Sequence, residues 1–146
     1  MASLFKDTQT HSTASTLGTG QIAMLVFLGV GLWFLAALML RAVEPFGAFT
    51  VPGVFILYIL LIPGTYPFVL LIRKLAKLRG DQTMLGVTIV TATASLCDAN
   101  ALVWFPKALY GANPLGAAAA ILWGIGVALC LGIMMNKADY VQDVLA

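Results

Sequence analysis

The sequence predicts an all-α fold, an integral membrane bundle of four helices, and three observations lead to this prediction. Hydrophobic residues make up 61% of the 146-residue chain, whereas charged residues make up only 10%. The mean hydropathy is +0.98, which is too high for a domain with a water-covered surface. The apolar residues also fall into four runs of about 20 residues, the length that crosses the roughly 30 Å hydrocarbon core of a bilayer.

These runs define the organisation of the chain. Within a domain of residues 21–135, we place the membrane spans at 21–41, 51–72, 83–104 and 114–135. Because the connections are short, successive helices should be antiparallel neighbours. Residues 1–20 are polar and rich in Thr, Ser and Gly, which predicts a flexible tail rather than a signal peptide. Residues 136–146 should form a second tail, on the cytoplasmic side.

The positions of Lys and Arg predict the orientation. The side that holds both termini and the middle connection carries Lys6, Arg73, Lys74, Lys77, Arg79 and Lys137, whereas the opposite side carries only Arg41 and Lys107. Cytoplasmic loops are richer in basic residues, so both termini should lie in the cytoplasm and the protein in the cytoplasmic (inner) membrane. Basic residues gathered beside a membrane span do not form a nucleic-acid surface.

Residue usage argues against a cofactor and against catalysis. His11 is the only histidine and precedes the first span, so a histidine-ligated haem or metal site within the bilayer is not expected. Ser95 and Cys97 have no histidine at membrane depth to activate them as nucleophiles. We therefore expect a protein that is not an enzyme and that binds no cofactor.

Asp98 is the first candidate for a functional residue, because it is the only acidic residue inside a membrane-length apolar run. A carboxylate at this depth costs roughly 2.5–3.5 kcal/mol on insertion scales, so it should face the bundle interior, a partner or a water path. Thr88, Thr91 and Ser95 share its helical face. This polar stripe either lines a proton or cation path that ends at Asp98, or makes interhelical hydrogen bonds worth about 0.6 kcal/mol each.

Arg41 is the predicted partner of Asp98. It lies at the outer end of the first span, and its long stem can reach inward from there. Glu44 and Lys107 would complete a small charged cluster on the same side. Trp104 and Tyr110, near the outer end of the third span, have the amphipathic rings of interfacial anchors.

The second span contains the residues that predict a helix break, Pro63, Gly64 and Pro67. Each proline lacks an amide hydrogen, so the carbonyls of Ile59 and Pro63 lose their helical partners and the helix should kink or unwind. Such carbonyls bind cations or polar ligands in the broken helices of transporters. The alternative is a simple packing kink that a neighbouring hydroxyl satisfies.

The fourth span carries a small residue at every fourth position. The strip consists of Gly116, Ala120, Gly124, Ala128 and Gly132. Small residues at this spacing allow close helix packing in lipid, either within the chain or with a second copy. We expect a homo-oligomer or a subunit of a larger membrane complex. Asn113 should cap this helix, with Pro114 in its first turn.

In the stretch from Ser95 to Gly111, an acidic residue late in the third span is followed by an aromatic residue, then by Phe-Pro and Tyr-Gly. In this pattern the chain resembles a bacterial family of small four-span membrane proteins. The earlier segment Glu44 to Gly47 also fits its first outer loop, where an Arg before the proline is more typical. The resemblance implies a location and a topology but no activity. Small multidrug transporters have the same size, but their defining carboxylate lies in the first span, where residues 21–40 are uncharged here.

Two functions follow from these observations. The first is a non-enzymatic accessory or structural component of the membrane, with the lipid bilayer and other membrane proteins as its partners. The alternative is a small proton- or cation-coupled transporter that acts as a homo-oligomer. In that case Asp98 would be the protonatable site, with Thr91 and Ser95 along its path.

Overall fold

The computed structural model describes residues 17–145, with the backbone alone for Gly80 and residues 137–145. These residues form helices and no strand, in the order α1 (Thr19–Val43), α2 (Gly53–Leu75), α3 (Thr83–Trp104), α4 (Pro106–Tyr110) and α5 (Pro114–Leu145). Short 3-10 helices, Glu44–Phe46 and Gly80–Gln82, lie in two connections. Four helices, all but the short α4, are long and apolar enough to cross a membrane, which confirms the predicted all-α bundle and a multi-pass membrane protein.

Only the last few residues of the predicted N-terminal tail are described, whereas the predicted C-terminal tail is helical up to Leu145. Residues 1–16 of the predicted N-terminal tail lie outside the described residues, and α1 already begins at Thr19. At the other end, α5 continues to Leu145, so residues 136–145 extend the last helix instead of leaving it. A helix can extend past the bilayer because its backbone hydrogen bonds are internal.

Side-chain caps fix where α1 and α5 begin. The Gln21 side chain accepts a hydrogen bond from the Gly18 N–H at 3.0 Å and donates to the Ala76 carbonyl oxygen at 3.2 Å. It therefore joins the start of α1 to the end of α2. Asn113 Oδ1 accepts a hydrogen bond from the Gly116 N–H at 2.9 Å, which confirms the predicted cap of α5.

The spans alternate in direction, but the broadest contact is not between successive spans. α1 packs mainly on α3, and α5 lies between α3 and α2. The α1–α3 and α2–α5 pairs therefore join helices that run in the same direction, while α3 and α5 are antiparallel. Gly29 explains the close approach of α1 to α3, because a Cβ atom there would lie 2.8 Å from Thr93 Cβ and 3.0 Å from the Val90 carbonyl oxygen.

The small-residue strip of α5 packs mostly within the chain. A Cβ atom on Gly116 would lie 2.7 Å from Phe49 Cβ, and one on Gly132 would lie 3.3 Å from Met84 Sδ. Ala120 and Ala128 are buried. Gly124 differs, because nothing lies within 4 Å of the place where its Cβ atom would be. Four positions of the strip thus let α5 insert between its neighbours.

The predicted helix break does not unwind α2. The helix is continuous through Pro63 and Pro67, and Pro63, Gly64 and Pro67 are exposed on the outside of the bundle. The Thr65 hydroxyl donates to the Leu61 carbonyl oxygen at 2.6 Å, which is not one of the two carbonyls that lose a helical partner to the prolines. The prediction that α2 unwinds here is therefore wrong, whereas the alternative of a packing kink is compatible with the continuous helix.

The core is small and rich in alanine. At the end where α1 stops and α5 begins, called the outer end below, the buried residues are Ala37, Leu40, Ala101, Tyr110, Ala117 and Ala120. At the opposite end they are Leu25, Ile72, Ala76, Leu78 and Val90. Large apolar side chains such as Phe27 and Leu122 are instead exposed by 75% and 71%. This distribution suits a bundle whose outside faces lipid and whose helices meet through small residues.

The turn between α4 and α5 depends on Gly111. Its φ of +80° and ψ of −152° lie in a region that only glycine adopts readily. A Cβ atom there would also lie 2.7 Å from Glu44 Oε2. Glu44 Oε1 in turn accepts a hydrogen bond from the Ala112 N–H at 3.2 Å. The carboxylate of Glu44 thus sits directly over the turn that follows Tyr110.

We expect Gly111→Ala to lower the free energy of unfolding by about 1–3 kcal/mol, because it combines an unfavourable backbone conformation with a steric conflict. The measurement is thermal unfolding of the detergent-solubilised protein by circular dichroism. The matched control is Gly31→Ala in α1, which has open space and should change stability by no more than about 1 kcal/mol, in the stabilising direction. Equal unfolding temperatures for the two variants would contradict this account of the turn.

Candidate functional site

Asp98 lies inside the bundle, held by side chains from two other helices. Its Oδ1 atom accepts a hydrogen bond from Trp33 Nε1 of α1 at 2.9 Å and one from the Tyr110 hydroxyl of α4 at 2.5 Å. Asp98 is 8% exposed and Tyr110 is fully buried. Trp33, Asp98 and Tyr110, called the Asp98 cluster below, therefore join α1, α3 and α4 at one depth.

The backbone explains how Tyr110 reaches a residue that lies twelve positions earlier. α3 ends at Trp104, and Phe105 leaves the helical conformation with φ −133° and ψ 39°. Pro106 then starts the short helix α4, as suits a residue with a fixed φ at a first helical position. α4 thereby turns back over the end of α3, and its last residue places a hydroxyl against the carboxylate.

The three side chains of the cluster are hydrogen-bonded to one another. Trp33 Nε1 also lies 3.3 Å from the Tyr110 oxygen, so the tyrosine hydroxyl donates to Asp98 and accepts from Trp33. Both donors to the carboxylate are neutral groups. Hydrogen bonds in which one partner is charged are roughly twice as strong as neutral ones, so these two donors partly offset the cost of placing an acidic group at this depth.

The second carboxylate oxygen of Asp98, Oδ2, accepts none of the described hydrogen bonds. The described hydrogen bonds both end on Oδ1. Among the described side chains, however, no fully buried nitrogen or oxygen atom lacks a hydrogen-bond partner. Oδ2 is therefore not fully enclosed, and it accounts for part of the small exposure of Asp98.

Tyr110 holds its proton strongly. Burial and, second, its hydrogen bond to Asp98 raise the pKa of Tyr110 well above the ordinary value near 10. Burial disfavours the charged phenolate, and the hydrogen bond favours the protonated form that can donate. At physiological pH the hydroxyl is therefore a permanent donor to the carboxylate.

The predicted pair of Asp98 and Arg41 is not formed. Arg41 is exposed at the outer end, and its Nη1 donates to the Lys107 carbonyl oxygen at 2.8 Å. Glu44 binds the Ala112 N–H instead of joining a charged cluster around Asp98. The physical reason is depth: Trp33, two turns before Arg41 in α1, already presents its N–H at the level of the carboxylate. The expectation that Arg41 is part of this site is therefore wrong.

The polar stripe of α3 is bonded within its own helix. Ser95 donates to the Thr91 carbonyl oxygen at 2.8 Å, Thr91 to that of Val87 at 2.9 Å, and Thr88 to that of Met84 at 2.8 Å. Such bonds to the preceding turn are a common way for Ser and Thr to satisfy their hydroxyls in a helix. Ser95 and Thr91 share a face with Asp98, but their described donor hydrogen bonds do not lead to it.

Sequence reasoning missed the two donors of the Asp98 cluster. Trp33 lies in the middle of its span, where its N–H needs an acceptor because lipid offers none, and Asp98 is the strongest acceptor at comparable depth. The position of Trp33 in its span could therefore have predicted its hydrogen bond to Asp98 from the sequence alone. Tyr110 was predicted to be an interfacial anchor, yet it is fully buried, whereas Trp104 is 71% exposed, as an anchor must be.

The described side chains do not gather metal ligands. They contain no group of three or more His, Cys, Asp and Glu residues that could hold a metal ion. Cys97 of α3 and Cys130 of α5 are free thiols. The chemistry available at the site is therefore that of the Asp98 carboxylate and its two donors.

Comparisons with protein-family models, with curated proteins and with solved structures find no match. The resemblance to the bacterial four-span family therefore stays a prediction.

A double-mutant cycle tests the cluster. Tyr110→Phe should lower the free energy of unfolding by about 1–3 kcal/mol in the wild type, because it removes a donor from a buried acceptor. In an Asp98→Leu background the same change should cost much less, giving a coupling energy of about 0.5–3 kcal/mol. Arg41→Gln is the control and should have the same effect in both backgrounds. Coupling of Asp98 to Arg41 but not to Tyr110 would restore the original prediction.

The raised pKa of Tyr110 predicts a specific alkaline destabilisation. The pKa is higher in the folded state than in the unfolded state, so its contribution to stability is complete below about pH 10 and declines as the pH rises above that value. The wild type should therefore lose more stability than Tyr110→Phe between about pH 10 and pH 12. Unfolding temperatures measured across this range provide the test, and parallel declines in the two proteins would contradict it.

Proposed function

We propose that this protein is a non-enzymatic accessory or structural component of the cytoplasmic membrane, with both termini on the cytoplasmic side. The observation that carries the proposal is the way Asp98 is bound. Its carboxylate receives hydrogen bonds from Trp33 and Tyr110, which come from separate helices. An acidic residue in this setting has a role in holding the bundle together, so its presence at depth needs no substrate.

The hydroxyl groups of α3 support the same proposal. A proton path requires polar groups or waters that can pass a proton from one to the next across the bilayer. The Thr88, Thr91 and Ser95 hydroxyls instead donate to backbone carbonyls one turn earlier. Their donor hydrogen bonds therefore stay within α3.

The outer surface supports a role beside other membrane proteins. Gly124 and Gly126 of α5 have no atom within 4 Å of the positions where Cβ atoms would stand. Close helix contacts in lipid form most readily at such small residues. A second copy or a different membrane subunit packed on this part of α5 is consistent with the predicted oligomer or complex.

One observation favours the second candidate, a small proton- or cation-coupled transporter. Asp98 Oδ2 accepts none of the described hydrogen bonds and is not fully enclosed. An ionisable oxygen that is open on one side can exchange a proton. In this proposal the protein acts as a homo-oligomer, and Asp98 alternates between its protonated and charged forms.

Proton flux in liposomes separates the two proposals. Purified wild-type protein is reconstituted with a pH-sensitive dye inside the vesicles, next to Asp98→Asn and to protein-free vesicles. For an accessory component, we expect the same slow leak in all three preparations under an imposed pH gradient. Flux that the wild type supports and Asp98→Asn abolishes would replace the first proposal with the second.

The variant must remain folded for this comparison to be valid. Asn keeps an oxygen that accepts from Trp33 and Tyr110, so Asp98→Asn should preserve most of the cluster. Its unfolding temperature in detergent provides the check. Tyr110→Phe is a further control, because it weakens the cluster but retains the carboxylate, and an accessory component should again show no flux above the leak.

A further inference from the structure

A lipid-facing groove of about 400 Å³ lies beside the Asp98 cluster. One face of α3 forms its floor, with Thr93, Cys97, Asn100 and Trp104, while Trp33 of α1 and Leu109 of α4 form two of its walls. Its volume is within the range of small-molecule sites. The Asn100 side chain donates to the Leu96 carbonyl oxygen of its own helix, so the floor of the groove is mainly apolar.

The length of the groove matches a lipid chain in one leaflet. Thr93 and Trp104 are eleven residues apart on α3, which corresponds to about 16 Å at 1.5 Å per residue. This is about half of the roughly 30 Å hydrocarbon core. The groove runs from the middle of the span to its outer end, so an acyl chain from a single leaflet would fill it.

The outer end of the bundle carries two exposed cations. Arg41 and Lys107 are both exposed, and Arg41 Nη1 is bound to the Lys107 carbonyl oxygen at 2.8 Å. Arg41 has further N–H donors, and the Lys107 ammonium has three. The nearest acid in sequence, Glu44, is turned to the Ala112 N–H. This end therefore offers net positive charge where a phospholipid carries its phosphate.

We propose that the groove binds one anionic phospholipid, with an acyl chain along α3 and the phosphate at Arg41 and Lys107. Charge complementarity favours a lipid with a net negative charge over a zwitterionic one. Trp33 connects this site to the Asp98 cluster, since its ring lines the groove and its N–H binds Asp98. The bound chain would therefore hold Trp33 in place.

Tryptophan quenching measures this binding directly. The probe is phosphatidylglycerol with brominated acyl chains, present as a minor component in phosphatidylcholine vesicles that contain the full chain. Trp123 is changed to Phe, so that Trp33 and Trp104 of the groove are the reporters. We expect the quenched fraction of the tryptophan fluorescence to be well above the mole fraction of the probe in the lipid. In the reverse experiment, brominated phosphatidylcholine is present at the same mole fraction in phosphatidylglycerol vesicles. The quenched fraction of the fluorescence should then be lower than the mole fraction of the brominated lipid.

Charge variants test the headgroup site. A basic residue near a membrane surface contributes about fivefold to anionic lipid binding, so Arg41→Gln with Lys107→Gln should lower the preference about thirtyfold at most. Arg41→Lys keeps the charge and should retain most of the preference. The matched control is Lys74→Gln with Lys77→Gln at the opposite end of the bundle, which should leave the quenching unchanged.

A groove-filling variant tests the acyl-chain site. Cys97→Phe places a ring in the groove and should reduce the excess quenching, while Cys130→Phe, on α5 outside the groove, should not. Native mass spectrometry of the detergent-solubilised protein should retain one phosphatidylglycerol per chain in the wild type and lose it in Cys97→Phe. Circular dichroism checks that both variants are folded.

Three results would overturn the proposal. Equal quenching by phosphatidylglycerol and phosphatidylcholine would remove the anionic site. Unchanged quenching in Cys97→Phe would place the lipid elsewhere. A lipid-free dimer that Cys97→Phe dissociates and Cys130→Phe does not would mean that the groove is covered by a second copy.

Discussion

The hydrogen bonds that end on one oxygen of Asp98 determine how the outer half of this bundle is built. An acidic group at that depth is costly, and the structure offsets the cost with donors from Trp33 and Tyr110. To supply the second donor, the chain must leave α3, turn at Phe105 and return through α4. The Gly111 turn and the contact of Glu44 over it then follow, because Tyr110 has to be held fully buried.

Packing elsewhere in the bundle relies mainly on small residues, with single hydrogen bonds from Gln21 and Trp123 to backbone carbonyls. α1 approaches α3 at Gly29, and α5 packs through Gly116 on Phe49 of the α1–α2 connection and through Gly132 on Met84 of α3. Between α2 and α5, Trp123 stacks on Tyr58 with ring centroids 5.1 Å apart and donates to the Tyr58 carbonyl oxygen at 3.1 Å. Close packing therefore holds the helices together along most of their length, and the hydrogen bonds to Asp98 add to it at one depth.

The sequence predicted the four spans well because their limits depend on length and apolarity, which are local properties. α3 occupies Thr83–Trp104, the predicted range. The order of neighbours could not be predicted in the same way, since it depends on which helix faces fit together. The partner of Asp98 was missed for a related reason: charge pointed to Arg41, but Trp33 lies at the right depth. The prolines of α2 were expected to break the helix, yet backbone exposed to lipid favours a continuous one.

The distances along the chain between Asp98 and its donors have a consequence for biosynthesis. Trp33 precedes Asp98 by 65 residues and Tyr110 follows it by 12. Because the chain emerges from the ribosome in sequence order, Trp33 emerges well before Asp98, whereas Tyr110 emerges 12 residues after it. The carboxylate thus leaves the ribosome before its second donor does, and the span gains its full stability only after the residues up to Tyr110 have emerged. The short stretch from Phe105 to Gly111 therefore acts as a late intramolecular clamp on a helix that is already synthesised.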